Sequence, residues 1–514
     1  MILNEQGLKE RSSWEEKGYA LPQYDRQAMV EKTKAAPTWL HFGAGNIFKA
    51  FQADAMQRLL NANEAEKGII AAERREKKPI TSDNYTIKVT LKADGTVEKT
   101  VVGSIAETVY LYGNEARLKE IFENPSLQMV SFTITEKGYS LKDGQGEYLP
   151  DVAADLAAGP EKATSYMGKL TALLCARYLK NRQPLAMVSM DNCSHNGDKL
   201  KAAVTTFARA WGGEGFNAWL AESVTFPWSM IDKITPGPDA SVAAILEKDG
   251  LAPGTPFVNA EECEYLVIED SFPNGRPPLE KAGIYFTDRE TVDKVERMKV
   301  CTCLNPLHTS LAVYGCLLGY QHIWQEMQDE DLKNLVYTIG YKEGLPVVTD
   351  PGIIHPKDFI DAVLQIRVPN PFMPDTPQRI ATDTSQKLPI RFGETIKAYQ
   401  ASDTLQVGDL KLIPLVFAGW LRYLMAVDDT GNSFEPSPDP LLSTAQPYVA
   451  AFRLGEVPPQ EEIFVKVEGL LRNATIFGVD LVQAGLSEKV CGYFAELIAG
   501  PGAVRATLHK YTKE

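Results

Sequence analysis

Short, continuous runs of hydrophobic residues recur in the first part of the chain and predict buried β-strands. They have the length of strands that are covered on both faces, and segments of helical periodicity separate them. Strands that alternate with helices predict a parallel sheet, whose ligands gather at the carboxyl ends of the strands. The runs lie at 37–42, 68–72, 129–134, 185–190 and 226–231.

The pattern changes twice outside these runs. Between residues 84 and 109 hydrophobic and polar residues alternate around a turn at Asp94–Gly95, which predicts a β-hairpin added to the sheet. Beyond about residue 288 strand patterns largely end and helical periodicity takes over, as at 412–425. We therefore predict an α/β N-terminal Rossmann-type domain with a mainly parallel sheet over 1–290, and a mainly α-helical C-terminal domain over 291–514.

Composition and charge restrict the possible functions. A chain of 514 residues, 44% hydrophobic and 23% charged, is typical of a globular protein with more than one core. Its net charge of −14 argues against nucleic acid or a membrane as a partner, although a local cationic pocket can still bind a small anion. The sequence has no run of about 18 apolar residues that would predict a membrane span, and no apolar segment of a signal peptide at its N-terminus.

The cysteines are the next guide to compartment and metal content. Seven of them are scattered along the chain, which is typical of reduced thiols and predicts a cytoplasmic protein. Cys301 and Cys303 lie close to His308, but the sequence offers no second close pair of Cys or His residues to complete four zinc ligands. We therefore expect no metal site.

A glycine turn follows the first hydrophobic run directly and opens a helical segment. Glycines let the backbone approach a pyrophosphate, which then lies against the positive N-terminus of the helix. The third glycine of the usual fingerprint is missing, because Phe48 occupies its place. Strand, turn and helix still predict a dinucleotide site, and its candidate cofactor-binding residues are Gly43, Ala44, Gly45, Asn46, Ile47 and Phe48.

The second hydrophobic run ends at Glu73, which adds a further candidate cofactor-binding residue. An acid at the end of this strand can accept hydrogen bonds from the ribose hydroxyls of NAD. Arg74 and Arg75 follow at once and could instead bind the 2′-phosphate of NADP. A third interpretation makes all three solvated loop charges. We expect NAD as the cofactor, with NADP as the alternative.

A segment near residue 300 gathers groups that can move a proton on and off a carbinol oxygen. Burial can convert Lys299 into a base near neutral pH, and Glu296 precedes it by about one helical turn. Asn305 can donate to a developing oxyanion, and His308 can hold or polarise a neighbouring oxygen. The simpler interpretation is a helix start, with Asn305 as N-cap and Pro306 as the first helical residue.

Polar side chains also follow two of the predicted strands. Asn192 lies in the polar segment after the run at 185–190, and Asp232 follows the run at 226–231. Because the carboxyl ends of parallel strands meet at one edge of a sheet, both are candidates for a site there.

Two basic residues later in the chain are candidates for binding an oxygen-rich ligand. Arg379 and Lys387 lie eight residues apart, which places them about 80° apart on a single helix. The alternative is a solvated basic face, on which Asp375 and Asp383 pair with the two cations.

Taken jointly, these segments are similar to one known family. The chain resembles the mannitol dehydrogenase family, the polyol-specific long-chain dehydrogenases that include the fructuronate and tagaturonate reductases. The resemblance implies a Rossmann-type domain, a helical C-terminal domain and metal-independent hydride transfer to nicotinamide. The segments that carry it occur in family order at 41–50, 133–139, 190–197, 230–236, 268–277, 296–315 and 370–389.

The resemblance also implies roles for matching residues. Lys299 resembles the general acid/base, and Glu296 resembles the acid that relays the proton of the lysine. The other matches are the oxyanion donors Asn192 and Asn305, the substrate-binding residues His308, Arg379 and Lys387, and the active-site position Asp232.

The spacing between lysine and asparagine departs from the family pattern. Five residues separate Lys299 from Asn305, one more than the family has. On one regular helix Lys299 and His308 would be about 900° apart, on opposite faces. Either Lys299 precedes the helix that Asn305 begins, or the extra residue forms a bulge, a feature that often marks functional sites.

Residues and resemblance together predict an NAD(P)-dependent oxidoreductase that interconverts a keto-hexuronate and an aldonate, with D-fructuronate and D-mannonate as the expected pair. The candidate cations favour a uronate, because a carboxylate takes a charge-assisted, bidentate pair from arginine. The alternative is a mannitol-type polyol 2-dehydrogenase, and a third hypothesis is a redox sensor that binds dinucleotide without turnover. The expected partner is a small-molecule sugar acid or polyol, not nucleic acid or a membrane, and the sequence indicates no particular oligomeric state.

Overall fold

The computed structural model describes residues 1–76 and 81–513 of the chain. The chain divides into two compact units, Met1–Asp293 and Lys294–Glu514.

The first unit contains all thirteen strands found in the described residues. They are β1 (Tyr19–Ala20), β2 (Trp39–Phe42), β3 (Ile69–Glu73), β4 (Thr86–Leu91), β5 (Val97–Val102), β6 (Ile105–Tyr110), β7 (Met129–Phe132), β8 (Leu185–Ser189), β9 (Val224–Thr225), β10 (Ser229–Asp232), β11 (Phe257–Ala260), β12 (Tyr265–Glu269) and β13 (Tyr285–Thr287).

Six of these strands form one parallel sheet in the order β6-β3-β2-β7-β8-β9. The first strand of this sheet along the chain is β2. Later strands are added first on one side of β2 and then on the other, so the direction of winding reverses beside it, as in a dinucleotide-binding Rossmann domain. The reversal lies between β2 and β7, which pair from Trp39 with Met129 to Phe42 with Phe132. The predicted Rossmann-type sheet is confirmed.

Helices of the first unit connect these strands and cover the sheet. Side chains of β2 alternate between two hydrophobic clusters, because successive residues of a strand point to opposite faces: Leu40 and Phe42 join one, and Trp39 joins the other. The α-helices are Arg11–Glu15, Arg26–Ala35, Ala53–Asn61, Glu115–Glu123, Pro150–Ala158, Tyr166–Lys180, Asn196–Trp211, Glu214–Ser223 and Ala240–Lys248, and Arg289–Met298 follows at the division between the units.

Two smaller sheets complete the first unit. β4 and β5 form the predicted antiparallel hairpin, within a sheet of order β1-β5-β4-β11, and β10, β12 and β13 form the other. The prediction extended the hairpin to residue 109, whereas Ile105–Tyr110 is the edge strand of the parallel sheet. Glu107 and Thr108 are half-buried, and such polar positions within a strand resemble a hairpin because an edge strand is only partly covered.

Helices are the only regular elements of more than an isolated bridge among the described residues of the second unit, which confirms the predicted fold class. The predicted helix at 412–425 is observed over Leu412–Leu424, where every residue is buried, and Glu343 accepts the backbone N–H groups at its start. The α-helices are Asn305–Leu318, Ile323–Glu326, Glu330–Thr338, Pro356–Ala362, Pro377–Ala381, Thr384–Leu388, Glu394–Gln400, Leu412–Leu424, Leu442–Ala445, Gln460–Leu471, Ala474–Phe477, Ser487–Leu497 and Ala503–Thr512. No helix among the described residues combines the length and the apolar character of a membrane span.

Candidate active site

The glycine turn lies at the carboxyl end of β2, beside which the direction of winding reverses. Gly43 has a φ of +92°, and a Cβ atom there would lie 2.2 Å from the Thr133 carbonyl oxygen. A side chain is therefore excluded both by the left-handed backbone and by the close approach of the next strand. Helical structure begins at residue 46 and includes a π-helical turn at Phe48–Gln52.

A buried histidine supports this turn from below. The His41 ring nitrogens lie 2.7 Å from Ser131 Oγ and 2.9 Å from Thr133 Oγ1, and Thr133 donates to the Gly43 carbonyl at 2.7 Å. Burial lowers the pKa of His41 to about 3, so the ring is neutral at physiological pH. Phe48, which replaces the third glycine, stacks on this ring with centroids 4.0 Å apart, so its side chain belongs to the support of the turn.

A cavity of about 370 Å³ opens beside the turn. Gly43, Glu73 and Arg74 contribute to its wall, together with residues of the segment after β7. Glu73 is the last residue of β3, and the guanidinium groups of Arg74 and Arg75 lie over the Tyr112 ring, 5.7 and 4.9 Å from its centroid. The acid and both arginines therefore lie at the same edge of the sheet as the glycine turn.

Asp191, which the sequence analysis did not single out, organises the ends of β7 and β8. Its carboxylate accepts backbone N–H groups from Ile134 at 3.0 Å and Thr135 at 2.8 Å, and the Tyr139 hydroxyl at 2.5 Å. Thr135 has φ 66° and ψ 158°, a backbone conformation that is adopted almost only by glycine. Burial raises the pKa of Asp191, and these donors lower it. Asp191 thus holds a strained residue next to Ile134, which lines the cavity.

The two predicted polar residues of the first unit follow strands of different sheets. Asn192 follows Asp191 after β8 and is exposed, and Asp232 is the buried last residue of β10. The prediction that Asp232 ends a strand of the parallel sheet is wrong, because a hydrophobic run does not specify its partner strand and β10 pairs antiparallel with β12. Fully buried Asn196 links their segments, because its amide donates to the Asp191 carbonyl at 3.0 Å and to the Ser229 carbonyl at 2.9 Å. Ser229 is the first residue of β10, so one amide ties together the backbone before Asn192 and the strand that ends at Asp232.

Both explanations for the extra residue near Lys299 apply. The helix Arg289–Met298 ends in a π-helical turn over Lys299–Cys303, and a separate helix starts at Asn305. The Leu304 N–H donates to the Lys299 carbonyl at 3.1 Å, which is the i to i+5 bond of a π-turn. Lys299 is 4% exposed. The sequence-based start of the next helix was one residue late, because Asn305 is its first residue and Pro306 its second.

His308 follows Asn305 by one helical turn and faces a mixed electrostatic environment. Its Nε2 lies 3.7 Å from an Asp375 carboxylate oxygen. Burial lowers the pKa of His308 to about 4; Asp375 opposes the shift, and Arg391, Arg379 and Arg367 add to it. The ring is therefore neutral near pH 7, and can donate or accept a hydrogen bond without carrying charge.

Arg379 and Lys387 do not lie on one helix, so the predicted angle of about 80° between them is wrong. Arg379 lies on Pro377–Ala381 and Lys387 on Thr384–Leu388. Asp383 separates the two helices with a φ of 56° in the left-handed region, and its N–H donates to the Pro438 carbonyl at 2.9 Å. The charge of Arg379 acts on both His308 and Lys387, so tertiary packing, and not one helix face, brings Arg379 close to both.

Arg379 and Lys387 have different partners. Arg379 is exposed and forms an ion pair with Asp375. The Lys387 Nζ donates to the Ile380 carbonyl at 2.9 Å. Burial lowers the pKa of Lys387 to about 8, and Arg391 adds to the shift. The sequence analysis missed Arg391, although it follows Lys387 by four residues; it donates to the Asn305 carbonyl at 3.3 Å and to Thr309 Oγ1.

The described residues show no metal-binding cluster that includes the cysteines near His308. Across the described ranges no group of three or more His, Cys, Asp or Glu side chains is arranged to hold a metal ion. Cys303 is buried, and its Sγ lies 3.8 Å from the Pro356 carbonyl oxygen.

Strand order, glycine turn and the proton-transferring residue types define an oxidoreductase with a dinucleotide-binding fold. The family model "Mannitol dehydrogenase Rossmann domain" matches residues 37–281, and "Mannitol dehydrogenase C-terminal domain" matches 291–496. The chain belongs to the mannitol dehydrogenase family, and the resemblance read from the sequence is confirmed.

Relatives with known names cover most of the chain. D-mannonate oxidoreductase of Thermotoga maritima is 47% identical, over 99% of this chain and 99% of its own length. Polyol:NADP oxidoreductase of Gluconobacter oxydans is 31% identical, over 80% of this chain and 85% of its own length.

Two solved structures share the fold at similar sequence distance. Mannitol 2-dehydrogenase of Pseudomonas fluorescens, in a ternary complex with NAD and D-mannitol, has a TM-score of 0.72 and 27% identity, with 100% of both chains covered. A substrate-free D-sorbitol dehydrogenase has a TM-score of 0.79 and 25% identity, over 95% of this chain and 100% of its own.

Proposed function

We propose that this protein interconverts a keto-hexuronate and an aldonate with NAD as the cofactor, and that D-fructuronate and D-mannonate are its substrate pair. The observation that carries this proposal is the 47% identity, along the whole chain, to a relative named D-mannonate oxidoreductase. The excess of cations around His308 supports it independently, because a neutral polyol has no charge to place against them.

The residues at the strand ends of the first unit fit a dinucleotide. The left-handed Gly43 leaves the backbone open beside a cavity whose wall includes Glu73, and an acid there suits the ribose hydroxyls of NAD. Gly43, Ala44, Gly45, Asn46, Ile47 and Phe48 would form the turn that holds the pyrophosphate, with Glu73 at the ribose. In the alternative, Arg74 would bind the 2′-phosphate of NADP.

The proposed chemistry divides the work among few side chains. The reduced nicotinamide, when bound, supplies the hydride that the substrate carbonyl carbon accepts. Lys299 donates a proton to the carbonyl oxygen as it becomes a hydroxyl, and takes that proton back in the reverse reaction. Glu296 relays the proton to Lys299.

The remaining proposed site residues hold the substrate. Asn192 and Asn305 donate to the oxygen as negative charge develops on it, which lowers the barrier without any proton being lost from the amides. Neutral His308 hydrogen-bonds a substrate oxygen, and Arg379, Lys387 and Asp232 contact the rest of the molecule.

A polyol 2-dehydrogenase is the second candidate function. The observation that favours it is the shared fold of mannitol 2-dehydrogenase, a structure with NAD and D-mannitol bound, at 27% identity. We also propose domain limits of 1–290 and 291–514 and a cytoplasmic location.

The test is a rate assay that follows nicotinamide absorbance at about 340 nm with paired substrates. Wild-type protein is given NADH with D-fructuronate, D-tagaturonate or D-fructose, and the three kcat/KM values are compared. We expect fructuronate to exceed fructose by at least about a hundredfold, the equivalent of roughly 2.7 kcal/mol. Equal or better activity on fructose would replace the uronate proposal with the polyol dehydrogenase.

A further inference from the structure

Arg391 differs from the other cations near His308 in its partners. It lies in the π-helical turn Pro389–Gly393 and is only partly exposed. One terminal nitrogen donates to the Asn305 carbonyl and to Thr309 Oγ1. Among the described residues it contacts no carboxylate within ion-pair distance, so its positive charge is not neutralised by the protein.

Arg379 shows the opposite arrangement. It is exposed, and Asp375 neutralises its charge in a direct ion pair. Asp375 also lies 3.7 Å from His308. Asp375 is thus shared by Arg379 and His308, and Arg391 has no direct contact with it among the described residues.

Lys387 shares the situation of Arg391. Its hydrogen bond is to the Ile380 carbonyl, and the described residues give it no ion pair either. Its pKa falls to about 8, first through burial and then through the charge of Arg391, despite opposing contributions from Asp383 and Asp439. Burial lowers the pKa of Arg391 to about 10. Both groups stay charged at neutral pH while their environment disfavours the charge.

Placing two neighbouring, partly desolvated cations without a counter-ion is costly. The chain as a whole carries a net charge of −14, so acids were abundant in the sequence and yet none contacts these two side chains in the described structure. The cost is recovered if an anion enters, and a guanidinium fork with a neighbouring ammonium suits a carboxylate.

We propose that Arg391, together with Lys387, binds the carboxylate of the sugar acid, and that Arg391 is therefore the residue that makes the site select a uronate over a neutral ketose. This inference rests on the proposed function. Arg379, whose charge Asp375 already neutralises, contacts the substrate without deciding that choice. The hydrogen bond from Arg391 to the Asn305 carbonyl places the carboxylate site next to the proposed oxyanion donor.

The experiment measures the ratio of kcat/KM for fructuronate to that for fructose. We expect Arg391→Met to lower this ratio about 30-fold, the equivalent of roughly 2 kcal/mol, as for the loss of a charge-assisted hydrogen bond. Arg379→Met is the matched control, and should change the ratio less than about threefold. Thr309→Val removes a partner of Arg391 while keeping its charge, and should leave the ratio within the same limit.

Three outcomes decide the matter. If Arg391→Met lowers both rates equally, Arg391 only supports the start of the Asn305 helix and the inference fails while the proposed function stands. If wild type prefers fructose, the proposed function itself fails, and the inference with it. If Arg391→Met does not fold, Arg391→Lys replaces it, because this variant keeps the charge but loses the guanidinium fork. The assignment is overturned if the kcat/KM ratio is unchanged in Arg391→Lys and changed in Arg379→Met.

Discussion

Two polar regions of the molecule are built on opposite principles. At the strand ends of the first unit, the Asp191 carboxylate accepts from two backbone N–H groups and the Tyr139 hydroxyl, and Asn196 is saturated by the backbone around it. In the second unit, Lys387 and Arg391 donate only to neutral oxygens and have no carboxylate in contact among the described residues.

The difference indicates what each region does. Buried groups whose partners all come from the protein fix a backbone in place, and here they hold Thr135 in a conformation that the chain would not adopt alone. Cations that the protein leaves without a counter-ion are suited to bind one from outside. We therefore regard the first region as a frame, and the second as a source of groups that act on the substrate.

Removal of an acting group should have the largest effect. Lys299→Ala should lower kcat by about 10²–10⁴-fold, the usual contribution of a positioned acid or base, while NADH affinity from fluorescence titration stays close to wild type. Glu296→Gln, which removes only the proposed relay, should lower kcat less. Near-normal turnover in Lys299→Ala would mean that the π-turn directs this lysine away from the chemistry.

The charge of Lys387 should make the preference for the uronate depend on pH. Lys387, with a pKa of about 8, carries its charge below that pH and loses it above. The fructuronate-to-fructose ratio of kcat/KM should therefore fall about tenfold between about pH 7 and 9, because kcat/KM reports groups of the free enzyme. In Lys387→Met the same ratio should be flat across this range; a wild-type profile that matches the mutant would show that the lysine does not contact the carboxylate.

The frame should influence the choice of cofactor more than the rate of the chemical step. If Glu73 accepts from the ribose, NADH should exceed NADPH in kcat/KM, and Glu73→Ser should narrow the gap about tenfold, as expected for hydrogen bonds to a charged group. Glu76→Ser, at an exposed acid three residues on, is the matched control and should leave the gap unchanged. A native preference for NADPH would indicate that Arg74 or Arg75 binds the 2′-phosphate and determines the choice of cofactor.

The smallest expected effect concerns the strain that the frame holds. Thr135→Gly should raise the free energy of unfolding by about 1 kcal/mol, because relief of roughly 1–3 kcal/mol of strain exceeds the entropic cost of a glycine, about 0.5–1 kcal/mol. Thr135→Ala removes the side chain and keeps the strain, so urea denaturation of the two variants separates them. Equal destabilisation by both would show that Thr135 is not strained in solution.

The sequence by itself determined the architecture of the first unit and the candidates for chemistry. When a parallel sheet is covered on both faces, its strands must be continuously hydrophobic. The strands β2, β3, β7 and β8 could therefore be predicted from local composition. A glycine turn after the first of them has a local cause as well, since few other residues adopt the backbone that Gly43 has. Lys299, Asn305 and His308 were recognisable by residue type alone.

Tertiary structure decided which charges are neutralised and which are not. The ion pair of Arg379 with Asp375, four residues before it, was one of the alternatives that the sequence offered, whereas only packing brings Arg391 to the Asn305 carbonyl and leaves it without an acid. The left-handed Asp383 separates Arg379 from Lys387 through a hydrogen bond to distant Pro438. Ion pairs and desolvation depend on distances between residues far apart in the chain, and no local pattern contains those distances.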